Sequence, residues 1–79
     1  THVLIIPKKP VENIFVAEKA DEQILGHLFT VARKVAEKEG LSGKGARIII
    51  NNGPDAGQEV PHLHLHLFGG KKMGWKPLG

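Results

Sequence analysis

The residues best suited to chemistry lie in one run, Pro61-His62-Leu63-His64-Leu65-His66-Leu67-Phe68. Alternate side chains of a strand point to opposite faces, so the three imidazoles share one face and the leucines the other. Same-face neighbours stand about 6.6 to 6.8 Å apart, which makes the histidines a continuous polar row. Three uses compete for such a row. It can be the plain polar face of a half-buried strand, although histidine forms strands poorly and has no packing advantage there over Thr or Val. It can be a metal site, because neutral imidazole is the commonest metal ligand and His-x-His on a strand presents a good pair. Against this, the chain has no cysteine, and the nearest carboxylate, Glu59, belongs to the preceding loop. The third use is phosphate chemistry, in which one imidazole attacks phosphorus while its neighbours bond non-bridging oxygens or protonate a leaving group near neutral pH.

The segment just upstream favours the third use. Residues 51 to 58, N-N-G-P-D-A-G-Q, are a dense cluster of turn formers. Gly57 lets backbone N–H groups come close to an anion, and Asn51 adds a neutral side-chain donor. Adjacency in sequence puts these donors and the histidine row at one end of the same strand. Asp55 and Glu59 do not read as an acid/base pair. His27 reads as a helix-flank residue, and Lys8 and Lys9 as a solvated turn. Lys71, Lys72 and Lys76 beside Trp75 read as a basic tail, with neither the stripe nor the stacking platform of a nucleic-acid binder.

The elements that must position these residues follow from periodicity. His2 to Pro7 reads as a strand buried on both faces and stopped by Pro7 and Pro10. From Asp21, apolar residues at Ile24, Leu25, Leu28, Val31, Ala32, Val35 and Ala36 give the spacing of an amphipathic helix. Asp21 and Glu22 suit its positive end, Lys34 and Lys38 its last turns, and Gly40 a left-handed cap. Ala46 to Asn51 reads as a second strand and Pro61 to Phe68 as a third. Strand, helix, strand, loop, strand is the order of an α+β domain in which one long helix covers a largely antiparallel sheet.

Composition narrows the function classes. A chain of 79 residues with 41% hydrophobic residues has room for one core. Its longest apolar runs, Val3 to Ile6 and Ile48 to Ile50, fall far short of the roughly 18 residues of a membrane span, so no membrane partner is expected. Without cysteine, disulfide scaffolds, Cys-ligated zinc modules and thiol catalysis are excluded within these residues. No basic stretch precedes the first apolar run, and a cytoplasmic location is expected, with organelles left open. Eleven Lys and Arg against eight Asp and Glu give a net charge of +3, which suits a small anionic ligand better than a nucleic-acid polymer. Thr1 is not a start methionine and a strand begins at once, so an N-terminal part of the domain is expected to precede it. The small core also leads us to expect a homodimer.

The string G-Q-E-V-P-H-L-H-L-H-L-F-G-G, residues 57 to 70, resembles the signature of the histidine-triad (HIT) nucleotide-binding family. T-H-V-L-I-I-P-K-K at 1 to 9, G-H-L at 26 to 28, N-N-G at 51 to 53 and M-G-W at 73 to 75 are similar to its Hint branch, the adenosine phosphoramidase-like members. The resemblance implies an α+β fold, an antiparallel sheet meander whose dimers join their sheets, of which residues 1–79 are the C-terminal two thirds. It implies hydrolysis of nucleoside 5′-phosphoramidates, with an AMP-like purine ligand and neither metal nor cofactor. Dinucleoside polyphosphate hydrolysis and a non-enzymatic zinc-binding or scaffold dimer are the alternatives. His64 would be the nucleophile that forms a nucleotidyl-histidine, His62 would orient it, and His66 would contact the phosphate or leaving group. Nucleotide contacts would fall on Asn51, on Gly57, Gln58 and Glu59, and on His64, Leu65 and His66, with His2 as a fourth, supporting histidine. Hint proteins often carry Ser at the position of Glu59, where an ionised carboxylate cannot donate, so only the backbone N–H of Glu59 carries over.

Overall fold

The side chains of Leu63, Leu65 and Leu67 are the largest fully buried ones among the described residues, and the chain is arranged around them. A computed structural model describes residues 1–74; Trp75 and Lys76 lie outside them. Three strands, β1 (His2–Ile5), β2 (Arg47–Ile49) and β3 (Leu65–Phe68), form one antiparallel sheet. The helix α1 (Glu22–Lys38) covers one face of it. Leu28 and Ala32 of α1 meet Ile5, Leu63 and Leu65 in a single core, with Val3, Leu25, Val31 and Ile50 packed around it. This is the expected α+β class with one long helix. The strand order is β1-β3-β2, so the last strand lies between the other two and the order is not the sequential one of a simple meander.

The helix forms and stops for the expected reasons. Its buried residues, Leu28 and Ala32, are four apart on one stripe. Gly40 ends it at φ 75°, with Gly40 N–H donating to Glu37 O at 3.0 Å and Leu41 N–H to Ala36 O at 2.8 Å. That is a left-handed cap, and it turns Leu41 into the interior. At the other end Asp21 is buried. Its carboxylate accepts the Glu18 N–H at 2.8 Å and the Lys9 ammonium at 2.7 Å. The Glu18 amide, and then Lys9, hold this carboxyl below the usual carboxylate range, while Asp21 raises Lys9. Lys9 stays half-exposed in a bend, as a solvated turn requires, yet it has a specific partner. It ties the loop after β1 to the start of the helix.

Other expectations change for one reason, that a single helix covers a single face. β1 is not buried on both sides: Ile5 is buried, whereas Leu4 is 52% exposed on the open face and Ile6, just past the strand, is 53% exposed. The second strand is three residues long, with Ile48 and Ile49 partly exposed at the sheet edge. The third pairs only from Leu65, because the Leu63 N–H donates to Val11 O at 2.7 Å rather than to a neighbouring strand. Alternation nevertheless runs on from His62 to Phe68, with each leucine buried and each aromatic residue half-buried. No helix among the described residues is long and apolar enough to cross a membrane.

Replacing Leu65 with alanine should lower stability by about 2–5 kcal/mol, the range for emptying a leucine site in a core. Denaturant unfolding of Leu65→Ala measures this. A loss under about 1 kcal/mol would mean that the leucine face is not the core.

Candidate active site

The sheet register decides what accompanies the histidines. His66 stands opposite Leu4 of β1 and Ile49 of β2, and Phe68 opposite His2 and Arg47. Directly paired residues share a face, so the face away from the helix presents His2, Leu4, His66, Phe68, Arg47 and Ile49. Aromatic contacts knit it together. His2 stacks on Phe68 with ring centroids 4.3 Å apart and on His66 at 5.2 Å. His64 meets His66 edge-on at 4.9 Å.

Hydrogen bonds then assign the protons. His64 Nδ1 lies 2.8 Å from the His62 carbonyl oxygen, and a carbonyl can only accept. The proton of the neutral ring is thus on Nδ1, and Nε2 carries a free lone pair. In the same way His62 donates from Nε2 to Pro7 O at 2.9 Å. His2 Nε2 and His66 Nδ1 are 3.0 Å apart and share one proton between them. Desolvation first, and then the neighbouring His64 and His2, push His66 below the ordinary histidine range. The row is therefore not three equivalent imidazoles. His62 is anchored, His64 is a base with its lone pair available, and His66 is held neutral.

Beside them lies a cleft of about 250 Å³ lined by Asn51, Gly57, Gln58, Glu59, Val60, His64 and His66. Its loop is shaped by two glycines that other residues could not replace without strain, Gly53 at φ 84°, ψ 177° and Gly57 at φ 78°. The amides of Gly57 and Gln58 close this turn on Pro54 O and Gly53 O. The N–H groups of Glu59 and Val60 make no hydrogen bond among the described residues, nor does the Asn51 side chain. These are donors beside a lone-pair nitrogen, the arrangement that stabilises a charged phosphoryl group. A larger groove of about 640 Å³ runs between the end of β1 and α1. It is lined mostly by apolar side chains and lacks the triad, so the smaller cleft is the candidate site.

The HIT domain family matches residues 1–73. The chain belongs to the HIT family. Among curated relatives, an uncharacterized HIT-like protein of Synechococcus elongatus is 45% identical over 76 residues, covering 96% of this chain and 66% of its own length. A 14 kDa zinc-binding protein of Zea mays is 47% identical over 79 residues, covering 98% of this chain and 61% of its own. The chain thus spans less than two thirds of the length of these relatives. Two solved structures share the fold. A HIT family hydrolase from Legionella pneumophila superposes with TM-score 0.93 at 45% identity, over 98% of this chain and 69% of that one. A histidine triad nucleotide-binding protein from Candida albicans does so with TM-score 0.75 at 28% identity, over 99% and 61%.

Of the residues singled out in the sequence, this HIT chain brings Asn51, Gly57, Gln58, Glu59, His64 and His66 into one cleft. His62 and His2 stand outside its lining and act on it through their hydrogen bonds. The Leu65 side chain is in the core, on the opposite face. The Gly57 amide itself is occupied within the turn. Sequence reasoning missed the Pro7 carbonyl and the Asn13 side chain. A backbone oxygen leaves no trace in residue types, while the Asn13, Asn52 and Gln58 amides gathered around one loop were a faint signal.

His66 should titrate below about 6.5, the ordinary histidine value. Because its folded-state value is depressed, the unfolded chain binds the proton more readily. The stability it contributes is complete above about 6.5 and is lost as pH falls through the lower folded value. A pH series of imidazole proton resonances checks this. A His66 midpoint at or above 6.5 would contradict the environment described.

Proposed function

We propose that this HIT chain carries the nucleophile and phosphate cleft of a Hint-type hydrolase that cleaves nucleoside 5′-phosphoramidates, with AMP-like purine nucleotides as products. The reading rests on one observation: the 2.8 Å bond from His64 Nδ1 to the His62 carbonyl leaves Nε2 unprotonated in a cleft that has free N–H donors. The His64 Nε2 lone pair attacks phosphorus, the P–N bond breaks, and the amine departs with a proton taken from solvent, to which the hydrolytic water later returns one. Water then attacks the nucleotidyl-histidine, releases the nucleotide and restores neutral His64. His62 orients the nucleophile through its carbonyl and is itself fixed by Pro7 O. Neutral His66 offers an N–H to the phosphate or leaving group, with its proton position set by His2. Asn51 and the Glu59 N–H hold phosphate and ribose oxygens. The hydrolase from Legionella and the nucleotide-binding protein from Candida, both similar in fold, support the class of activity and ligand.

The name of the maize relative raises zinc for this chain. A zinc site takes three or four convergent ligands, and no three His, Asp or Glu side chains among the described residues are placed to share one ion. The donor set does not fit zinc.

His64→Ala should lower turnover by several orders of magnitude and weaken AMP binding far less, since the loop donors remain. Mass spectrometry of full-length enzyme quenched during turnover should find a nucleotidyl adduct on the peptide containing His64. Activity lost in chelator with no adduct would sink the reading. A phosphoramidate and a dinucleoside polyphosphate compared on the same enzyme separate the two hydrolase classes: faster turnover of the polyphosphate would overturn the phosphoramidase assignment.

We propose that the full-length protein is a homodimer, because Ile48, Ile49 and Phe29 leave apolar surface exposed and β2 is an edge of the sheet among the described residues; the lack of cysteine in this chain fits a cytoplasmic location. Sedimentation velocity at micromolar concentration should give a dimer, and a monomer there would refute the assembly.

A further inference from the structure

Gln58 lines the cleft, yet its amide has no capacity left for a ligand. A side-chain amide offers two donor hydrogens and an oxygen with two lone pairs. Here Nε2 donates to Glu12 O at 2.6 Å and to Val60 O at 3.1 Å. Oε1 accepts the Gly53 N–H at 2.8 Å and the Asn13 amide at 3.3 Å. The partners lie on three separate stretches of chain: residues 12–13 after β1, the turn at Gly53, and the approach to the triad at Val60.

The last contact reaches the catalytic row. Val60 O also accepts the His62 N–H at 2.8 Å, so Gln58 is joined to the first histidine through one carbonyl. The neighbouring Leu63 N–H is held by Val11 O, one residue before the carbonyl that holds Gln58. The free N–H groups of Glu59 and Val60 therefore sit between two fixed points, the Gln58 amide and the His62–Leu63 backbone. Asn13 is oriented in turn, because its Oδ1 accepts the Phe15 N–H at 3.0 Å.

We infer that Gln58 is a positioning residue and not a nucleotide contact: its side chain bolts the donor loop to residues 12–13 and to the start of the histidine row, and Asn13 works through it. The inference deepens the phosphate-cleft reading and rests on it for its effect on rate. Misplacing a catalytic group by about 1 Å can cost 10²-fold, so loss of the bolt is felt mainly in kcat.

The test is a double-mutant cycle on the full-length protein with Gln58→Ala, Asn13→Ala and the pair. It is read by kcat and KM on a nucleoside phosphoramidate and by the backbone amide shifts of Glu59 and Val60 without substrate. Gln58→Ala should lower kcat/KM by roughly 10- to 100-fold, chiefly in kcat, and Asn13→Ala by less in the same direction. The pair should match Gln58→Ala alone. Asn13→Ala should move the Glu59 and Val60 amide resonances in wild type and not in the Gln58→Ala background. Effects that multiply would mean that the two side chains act independently and would overturn the inference. A wild type without turnover refutes the proposed activity instead, and the substrate-free amide cycle still decides the role of Gln58. If Gln58→Ala does not fold, Asn13→Ala alone is decisive. Asn13 does not line the His64 cleft, so wild-type kcat together with unmoved Glu59 and Val60 amides would refute the bolt.

Discussion

Burial of Leu63, Leu65 and Leu67, the first two in one core with Leu28 and Ala32 of α1, determines the remainder of the site. With a side-chain period of two, every leucine that turns inward sends a histidine outward, and a slip of one residue would exchange the two sets. The cost of exposing three leucines and burying three imidazoles makes that slip prohibitive. Packing and chemistry are thus specified by one run of residues, and the helix serves the site by giving the leucines somewhere to go. The central place of β3 in the sheet adds to this. It takes partners on both edges, which fixes His66 and Phe68 within the sheet, while His62 and His64 lie just before the paired segment.

Within that frame the imidazoles are differentiated by what they touch. A carbonyl behind His62, a second carbonyl behind His64 and a second imidazole beside His66 give three identical side chains three different proton arrangements. Low exposure reinforces the last of these, because a ring partly withdrawn from water and flanked by two others resists a charge.

Periodicity made the helix legible, and the glycine at 40 made its end legible. The alternation at 62 to 67 exposed the face of the histidines, and the turn-rich segment before it located the cleft. What stayed hidden has a common origin. The open face of β1, the short ladder of β3 and the pairing of Lys9 with Asp21 all depend on which surface another segment covers, a tertiary property that local pattern does not carry. The bonding of Gln58 was hidden differently. Its residue type and place fit a ligand contact, and only the four partners around its amide show where its capacity goes.

The stretch from Pro7 to Asn13 has no regular secondary structure, yet its main-chain oxygens receive the His62 ring, the Leu63 amide and the Gln58 side chain. Prolines at 7 and 10 suit it to this, since they fix the backbone and add carbonyls without amides. Contacts made by main-chain oxygen are indifferent to most changes of side chain but depend on spacing along the chain. This stretch can therefore drift in composition at Lys8 or Glu12 with little effect on the triad. Inserting or deleting one residue would put every oxygen out of step with its donor, so its tolerance is to spelling and not to length.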